Sequence, residues 1–175
     1  MATLRQVLNT KQDNAIHTID AEASVYDAVA LMSKTGIGAL VVTVGGRVDG
    51  MVCGIVTERD YARKVILRDK SSRTTTVCEI MTAPVMSATS CANTEDCMAL
   101  MTRQHIRHLP VIESGRLIGI VSIGDLVRLL IEEQRFAIDQ LETYVRGPQL
   151  DQATCALTRR SPLPETLATR LFEEH

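Results

Sequence analysis

A seven-residue motif occurs twice in this chain, and its repetition constrains the fold more than any other feature. It reads GIVTERD at Gly54–Asp60 and GIVSIGD at Gly119–Asp125, 65 residues later. In both copies an apolar run meets a Thr or Ser that is followed three residues later by Asp, which is typical of a strand leading directly into a helix. A chain that repeats such a corner is expected to contain two copies of one structural unit.

Two stretches upstream of this motif also recur, at a spacing of 69 residues. ALM at 30–32 recurs at 99–101, and IGALVV at 37–42 aligns with IRHLPV at 106–111. The first copy therefore holds four additional residues, which fall in the Gly-rich stretch 43–53. A turn between two strands tolerates such an insertion, so this stretch is predicted to be a hairpin connection.

Hydrophobic periodicity predicts the order β-α-β-β-α in each copy. A first strand is expected at 15–19 and at 84–88, and the helices that follow open at Ser24 and Asn93. Two apolar strands then lead into a last helix, which begins within the repeated motif. The paired strands are predicted at 38–43, 50–56, 108–112 and 116–121. Each last helix is predicted to place one apolar face on the core, formed by Tyr61, Ala62, Val65 and Ile66 in the first copy and by Leu126, Val127, Leu130 and Ile131 in the second.

These elements divide the 175 residues into five segments. The expected fold class is mixed α/β (α+β), with both repeats built from the same elements. The segments are an N-terminal helical segment at 1–14, a first repeat at 15–68, a polar linker at 69–77, a second repeat at 78–133, and a C-terminal helix with a mobile tail at 134–175.

Composition excludes several classes of partner and chemistry. The net charge is −2 with both signs interspersed, so no nucleic-acid partner is expected. The five cysteines have no C-x-x-C spacing, which argues against a zinc or thioredoxin site and for a reducing compartment. No apolar run approaches the ~20 residues that a membrane-spanning helix needs, and the N-terminus lacks the apolar core of a secretory signal. We therefore expect a cytoplasmic protein without a membrane partner.

The repeated corner has two compatible chemical interpretations. Thr57 and Ser122 can cap a helix, with Asp60 and Asp125 at its positive end, and each such cap contributes about 1 kcal/mol. The same groups can bind a ligand, because helix-start amides attract phosphate and a carboxylate can accept both hydroxyls of a ribose. Capping does not account for the glycine that begins each motif, since glycine inside a strand often marks the close approach of another group.

A second pair of residues distinguishes the two copies. Arg107 and His108 stand at a strand start where the first copy has Gly38 and Ala39. Alone they are typical of a solvated strand end, but beside a phosphate Arg supplies a planar fork of donors and His a titratable donor. Arg59, inside the first motif, is a further candidate phosphate contact.

Motifs of catalysis are missing from the sequence. It contains no G-x-S-x-G, P-loop or Rossmann fingerprint. His105 and His108 have a helical metal spacing, but His108 begins a strand and no third ligand is placed nearby. The cysteines have no local His partner and no basic helix start, so an enzyme is not expected.

The order and spacing of these motifs resemble a pair of cystathionine-beta-synthase (CBS) domains, also called a Bateman module. GIVTERD, GIVSIGD, IGALVV and RHLPV carry the resemblance, which covers about residues 15–133. It implies two repeats packed sheet to sheet around a pseudo-twofold axis, in a stand-alone module without an attached enzyme or channel. It also implies an adenosine ligand (AMP, ADP, ATP, NAD or S-adenosylmethionine) in the cleft between the repeats, and pairing into a disc-like homodimer.

The same resemblance implies which residues line the adenosine cleft. It places Arg107 and His108 next to Ser122 and Asp125, so this cleft is expected to bind phosphorylated ligands more tightly than the other cleft. The backbone near Leu40 is expected to face an adenine edge. The expected ligand-binding residues are Gly38, Ala39, Leu40, Thr57, Arg59, Asp60, Met86, Arg107, His108, Leu109, Pro110, Ser122, Gly124 and Asp125.

The expected function is that of a sensor, which binds AMP, ADP, ATP or NAD and regulates an unidentified partner protein. The nucleotide is then a regulatory ligand rather than a catalytic cofactor, and no metal is expected. The alternative is a constitutive interaction module whose clefts stay empty and whose C-terminal tail is the active part. A dinucleotide-responsive redox regulator is a third interpretation, because NAD also presents an adenosine.

Overall fold

The computed structural model describes residues 2–11 and 15–146, and it divides after Glu132 into two compact units. The first unit contains both repeats. The tail that the sequence predicts to be mobile lies outside the described residues from 147 onward. In chain order the elements are α1 (Leu4–Thr10), β1 (Thr18–Asp20), α2 (Val25–Thr35), β2 (Ala39–Thr43), β3 (Val52–Thr57), α3 (Glu58–Lys64), α4 (Val77–Ile80), α5 (Thr94–Arg103), β4 (His108–Glu113), β5 (Arg116–Ser122) and α6 (Ile123–Arg146).

The first repeat is built on a three-stranded sheet in the order β1-β2-β3. β1 runs parallel to β2, and β2 pairs antiparallel with β3, so that Ala39 lies opposite Thr57. Every residue of β2 is buried, as its unbroken apolar sequence predicts. Leu40 and Val42 of this strand pack with Met32 of α2 in one apolar core.

The second repeat has a two-stranded antiparallel sheet, in which His108 of β4 lies opposite Ser122 of β5. The strand predicted at 84–88 does not form, and that prediction is wrong. Of this segment, Ala88 pairs with β4 in an isolated parallel bridge. Pro84 begins the segment and has no N–H to donate to a ladder, so a continuous strand there is disfavoured.

The predicted helix starts are confirmed. Ser24 Oγ accepts the N–H of Asp27 at 3.1 Å, and Asn93 Oδ1 accepts the N–H of Glu95 at 3.0 Å. α2 ends at Gly36, whose φ of +68° is in the left-handed region that glycine adopts without strain. Each of these caps depends on residues within one turn, which is why the sequence predicts them.

The two repeats are interlocked by short helices that precede them. α1 inserts Leu4 and Val7 into the core of the second repeat, whereas α4 inserts Val77 and Ile80 into the core of the first. All four side chains are at most 1% exposed. The sequence analysis assigned α1 to a separate N-terminal segment and divided α4 between the linker and the second repeat, but each helix completes the core of the repeat on the other side.

A third repeated pattern accompanies this exchange. TLRQV at 3–7 and TVCEI at 76–80 both place Gln or Glu three residues after Thr. In both segments that side chain accepts the backbone N–H of the threonine, at 2.8 and 3.0 Å. The amides of Leu4 and Val77 then donate to backbone carbonyls of the receiving repeat, at 3.0 and 2.9 Å. The two segments are therefore equivalent in structure as well as in sequence.

The last helix of each repeat buries a narrower face than the periodicity predicts. Ile66, Val127 and Ile131 were expected in the core, and they are between 41% and 57% exposed. α3 ends at Lys64, so Ile66 lies in the following 3-10 turn rather than on the helical face. In α6 the residues that pack on the core include Ile123, Leu126 and Leu129. They are three positions apart and therefore share one face of the helix.

Candidate functional site

Two cavities lie between the repeats, one at each copy of the motif. The cavity at Asp60 has a volume of about 300 Å³, and the cavity at Asp125 has a volume of about 260 Å³. They are called the Asp60 cavity and the Asp125 cavity below. The Asp60 cavity is lined by Gly38, Ile55, Thr57, Glu58, Arg59, Asp60, Arg63, Thr82, His105, Ile106, Arg107 and His108. The Asp125 cavity is lined by Lys11, Ala15, His17, Gly36, Ile37, Gly38, Ala39, His108, Ile120, Ser122 and Asp125.

Both motif corners form the helix cap that the sequence predicts. Thr57 Oγ1 accepts the N–H of Asp60 at 3.2 Å and donates its own hydroxyl to the Asp60 carboxylate at 2.6 Å. Ser122 Oγ makes the same two bonds with Asp125, at 3.2 and 2.8 Å. The backbone N–H groups of Thr57 and Ser122 donate to the same carboxylates, at 3.1 and 2.7 Å. Each Asp therefore stabilises the start of its own helix, whatever else it binds.

Two of the first-turn amides of each helix, which were predicted to attract a phosphate, already donate within the chain. The N–H of Glu58 donates to Gly38 O at 3.2 Å, and the N–H of Ile123 donates to Arg107 O at 2.9 Å. The amide of the motif Asp is bonded to Thr or Ser in each copy. With these first-turn amides occupied, side-chain cations become the main candidates for binding an anion.

A lysine binds the carboxylate of each motif, but the two lysines come from different parts of the chain. Lys64 lies one turn along α3, with its Nζ 2.8 Å from Asp60 Oδ1. Lys11 follows α1, with its Nζ 2.8 Å from Asp125 Oδ2. Each ammonium also donates to a backbone carbonyl oxygen, at 2.6 Å for Lys64 and 2.8 Å for Lys11. Only Lys11 lines the cavity of the carboxylate that it binds.

The contacts of Lys11 keep Asp125 ionised. Burial acts to raise the pKa of this carboxyl, but the hydrogen bonds from Lys11 and Ser122 and the charge of Lys11 outweigh burial and bring the pKa below its usual value. At neutral pH the Asp125 cavity therefore contains a carboxylate that is already paired with a cation.

Three arginines are among the residues that line the Asp60 cavity, namely Arg59, Arg63 and Arg107. The guanidinium of Arg59 donates to His105 O at 3.1 Å. The sequence analysis placed Arg107 beside Ser122 and Asp125, and the structure corrects this position. Arg107 precedes β4 and is among the residues that line the Asp60 cavity, but it is not among those that line the Asp125 cavity. It therefore lies at the cavity of the other repeat's motif.

The wall between the two cavities is formed by Gly38 and His108, which line both. A Cβ at Gly38 would lie 3.8 Å from His108 Cε1 and 3.3 Å from Glu58 Oε2, so glycine leaves room for these side chains. Burial is the main cause of a lowered pKa of His108; the carboxylates of Asp125 and Glu58 oppose it, and the neighbouring cations reinforce it. The imidazole is therefore mainly neutral at neutral pH.

The glycine that begins each motif is explained by the protein itself. A Cβ at Gly54 would lie 2.8 Å from Met81 Sδ and 2.9 Å from Thr82 O, and a Cβ at Gly119 would lie 2.6 Å from Leu8 Cδ2. Leu8 belongs to α1 and Met81 follows α4, so the groups that approach the strands are the exchanged segments. The close approach of another group that these glycines predict is confirmed, and the approaching groups belong to the chain itself.

Other residues of the predicted set are less directly placed at a cavity. Leu40, Leu109 and Pro110 are buried, so their side chains belong to the interior and only their backbone groups are available. Met86 and Gly124 are exposed and line neither of the two cavities. The charged or titratable cavity residues that the predicted set omitted are Lys11, His17, Glu58, Arg63 and His105.

One of the omitted residues had a signal in the sequence. Arg63 lies four residues after Arg59, so the two share one face of the short helix α3. Lys11 had no such signal, because its contact with Asp125 exists only through the packing of α1 on the second repeat. In residues 2–11 and 15–146, no group of three His, Cys, Asp or Glu side chains is placed to hold a metal ion, and no helix is long and apolar enough to cross a membrane.

Comparisons with known proteins agree on one family. The model of the CBS domain matches residues 6–67 and 77–132. The "CBS domain-containing protein CBSX3, mitochondrial" of Arabidopsis thaliana is 44% identical over 126 residues, which are 71% of this chain and 61% of that protein, so the match spans less than two thirds of the relative.

Solved structures are similar as well. A protein with CBS domains from Burkholderia ambifaria is 50% identical, with a TM-score of 0.71 over 76% of this chain and 96% of that chain. The structure of CBSX2 in complex with AMP has a TM-score of 0.61 at 23% identity, over 77% of this chain and 99% of that chain. At that identity the likeness to CBSX2 concerns the fold alone.

Proposed function

The chain belongs to the CBS-domain family, with two copies of the domain, and on this premise we propose that it is a regulatory module that binds an adenine nucleotide. The observation that carries the proposal is the Asp60 cavity, where three arginines and the motif carboxylate converge. Arg59, Arg63 and Arg107 offer planar forks of donors to phosphate oxygens. The ribose hydroxyls of the ligand donate to Asp60, beside Thr57.

AMP is the ligand that this cavity favours. A volume of about 300 Å³ lies at the small end of the ~300–1,000 Å³ range of ligand pockets, which suits a mononucleotide better than NAD. One structural neighbour, CBSX2, was solved in complex with AMP. ADP and ATP present the same adenosine with more phosphate oxygens, so they remain candidates for the same arginines.

Regulation follows from the fact that both repeats contribute to the cavity. Arg59 and Arg63 come from α3 of the first repeat, whereas His105 and Arg107 come from the second. A nucleotide that pairs with arginines of both repeats stabilises the arrangement in which they face one another. A ligand changes a conformational equilibrium only through such a difference in affinity between two states. A partner protein binds one of the two conformational states in preference to the other. No catalytic step is part of this proposal.

Isothermal calorimetry of AMP binding tests the proposal. We expect micromolar affinity for the wild type, about −7 to −8 kcal/mol. Asp60→Asn keeps an oxygen that can accept from Thr57 but loses the charge of the carboxylate, which weakens AMP by about 1.5–3 kcal/mol. It also loses the ion pair with Lys64, so its melting temperature is compared with that of Lys64→Ala. Asp96→Asn is the matched control, because Asp96 occupies the first turn of α5 outside both cavities. The absence of heat and of any thermal shift with millimolar AMP, ADP, ATP or NAD would reject the proposal.

A constitutive interaction module is the second candidate, and one observation favours it. Both motif carboxylates are already bonded within the chain, Asp60 to Thr57 and Lys64, and Asp125 to Ser122 and Lys11. Absorbance and mass spectrometry of the purified protein separate the two candidates, since a sensor is expected to retain nucleotide and a constitutive module is not.

We further propose that a homodimer is the acting unit. The first compact unit exposes several large apolar side chains, which association would cover; they are Ile66, Leu67, Val127 and Ile131. Sedimentation is expected to give twice the 19.2 kDa mass of one chain. A monomer at all concentrations would contradict this.

We also propose a cytoplasmic location, from the cysteine usage. The Arabidopsis relative is named a mitochondrial protein, so imaging of a fluorescent fusion decides between the two compartments.

A further inference from the structure

The carboxylates at the two cavities are held by lysines of different origin. Lys64 reaches Asp60 from within α3 and is not part of the wall of the Asp60 cavity. Lys11 reaches Asp125 from the N-terminal arm, residues 2–11, and is part of the wall of the Asp125 cavity. The ion pair of Lys64 with Asp60 therefore leaves the Asp60 cavity open, whereas the ion pair of Lys11 with Asp125 fills part of the Asp125 cavity.

The N-terminal arm that carries Lys11 is firmly seated on the second repeat. Leu4 and Val7 are almost completely buried in its core, and Leu8 lies against Gly119. The side chains of Lys11 and Asp125 are 23% and 18% exposed, so their ion pair is partly shielded from water and salt. The ammonium is held there by two acceptors, the Asp125 carboxylate and Ile120 O, both at 2.8 Å.

We propose that Lys11 closes the Asp125 cavity to nucleotide, so that the Asp60 cavity alone takes the ligand while the N-terminal arm is seated. This inference rests on the proposed function. Three donors converge on Asp125 Oδ2, namely the N–H and hydroxyl of Ser122 and the ammonium of Lys11. Because Lys11 is among the residues that line this cavity, a ribose that binds the Asp125 carboxylate there must displace its ammonium and leave it without its charged partner, which is unfavourable in a partly buried site. Lys64 binds Asp60 Oδ1 but is not among the residues that line the Asp60 cavity.

The other residues of the Asp125 cavity offer no compensation for that displacement. Among residues 2–11 and 15–146, no arginine lines it, in contrast to the three arginines of the Asp60 cavity. Its remaining titratable cations are His17 and His108, and the burial that lowers the pKa of His108 keeps it mainly neutral at neutral pH. A phosphate entering this cavity therefore meets no free guanidinium, and Lys11 is the residue that decides whether the cavity is used.

Calorimetric stoichiometry with AMP on the full chain tests the inference. The wild type is expected to bind one AMP per chain, in a manner that Asp60→Asn weakens at least tenfold and Asp125→Asn leaves unchanged. With adenosine, which has no phosphate, Lys11→Ala is expected to bind one more molecule per chain than the wild type, and Lys11→Ala combined with Asp125→Asn is expected to lose it again. Lys64→Ala is the matched control, since it removes the equivalent ion pair without opening a cavity, and it is expected to retain a single site.

Each outcome bears on one of the two proposals. The absence of an additional adenosine in a folded Lys11→Ala, or a loss of AMP in Asp125→Asn of otherwise wild-type sequence, overturns the closure by Lys11 and leaves the proposed function standing. The second of these measurements does not require Lys11→Ala to fold. If wild type binds no AMP but Lys11→Ala binds adenosine through Asp125, the closure is supported and the ligand assignment of the Asp60 cavity fails. No binding to either protein rejects both.

Discussion

The corners at Asp60 and Asp125 match almost bond for bond, yet the cavities in front of them differ. In each, a hydroxyl caps the helix and the carboxylate accepts the backbone amide of the capping residue. The cavity at Asp60 is lined by three arginines, whereas the cavity at Asp125 is lined by a lysine that is already paired with the carboxylate. A duplicated motif thus preserves what depends on neighbours in the chain, and it does not preserve what depends on the facing repeat.

The aligned strand starts show the same principle. Arg107 occupies the position of Gly38 in the other copy, but it serves the Asp60 cavity rather than the cavity of its own motif. The stronger phosphate binding predicted for one cleft stays a prediction, and the position of Arg107 assigns it to the Asp60 cavity rather than to the Asp125 cavity.

Shortening one buried side chain in each exchanged helix is expected to have the largest effect on stability. The two variants are expected to destabilise opposite repeats. Leu4→Ala removes a fully buried side chain and is expected to lower the free energy of unfolding by about 2–5 kcal/mol. Val77→Ala removes fewer buried atoms and is expected to cost less. Hydrogen exchange is expected to accelerate first in β4 and β5 for Leu4→Ala, and in β2 and β3 for Val77→Ala. The reverse pattern would contradict the exchange of segments.

Removing Arg107 tests which cavity binds phosphate. Arg107→Ala is expected to weaken AMP by about 1.5–3 kcal/mol, because it deletes a charge-assisted contact. Adenosine has no phosphate, so its affinity is expected to change little. Titrations of both ligands at fixed salt, with Arg116→Ala as an exposed-arginine control, give the comparison. Equal losses for AMP and adenosine would show that Arg107 does not contact the phosphate.

A methyl group added at the first glycine of each motif is expected to lower the free energy of unfolding more in the first repeat than in the second. Gly54→Ala meets a backbone carbonyl at 2.9 Å, that of Thr82, whereas Gly119→Ala meets only the flexible end of Leu8. Overpacking of this kind costs about 1–3 kcal/mol, and we expect Gly54→Ala near the upper end. Urea denaturation of the two variants measures the difference, and a larger loss for Gly119→Ala would be the wrong order.

The histidine that separates the cavities is expected to give the smallest effect, as a slope of stability with pH. Burial lowers the pKa of His108 in the folded protein, so below the unfolded value of about 6.5 the unfolded chain takes up a proton that the folded chain does not. Stability therefore falls as the pH drops from about 6.5 towards the folded pKa, by at most about 1.4 kcal/mol per pH unit for one proton.

His108→Gln is expected to flatten this slope in denaturation curves between pH 5 and pH 7, whereas the exposed-histidine control His105→Gln keeps it. The lowered pKa of Asp125 acts in a different window, because its contribution is lost only as the pH falls below about 4. An unchanged slope in His108→Gln would assign the pH dependence to another group.

The sequence by itself predicts the repeat, the fold class and the starts of α2, α3, α5 and α6. Ser24, Asn93, Thr57 and Ser122 cap the helices that their spacing to Asp or Glu indicates, and the strand pairs lie within two residues of their predicted positions. The caps and the apolar pattern of each strand and helix depend on residues up to four apart. The relative positions of such residues are fixed as soon as the local conformation is fixed. The segment at 84–88 is an exception, since a strand requires a partner as well as an apolar pattern.

The tertiary structure alone decided which repeat each short helix completes, which group approaches each motif glycine, and which cavity receives the arginines. Lys11 meets Ile120 across 109 positions of the chain, and Arg59 meets His105 across 46. No periodicity extends over such separations. The two repeats face one another, so a residue at the edge of one strand contacts the corner of the other copy, and that contact is defined by packing between repeats rather than by alignment of their sequences.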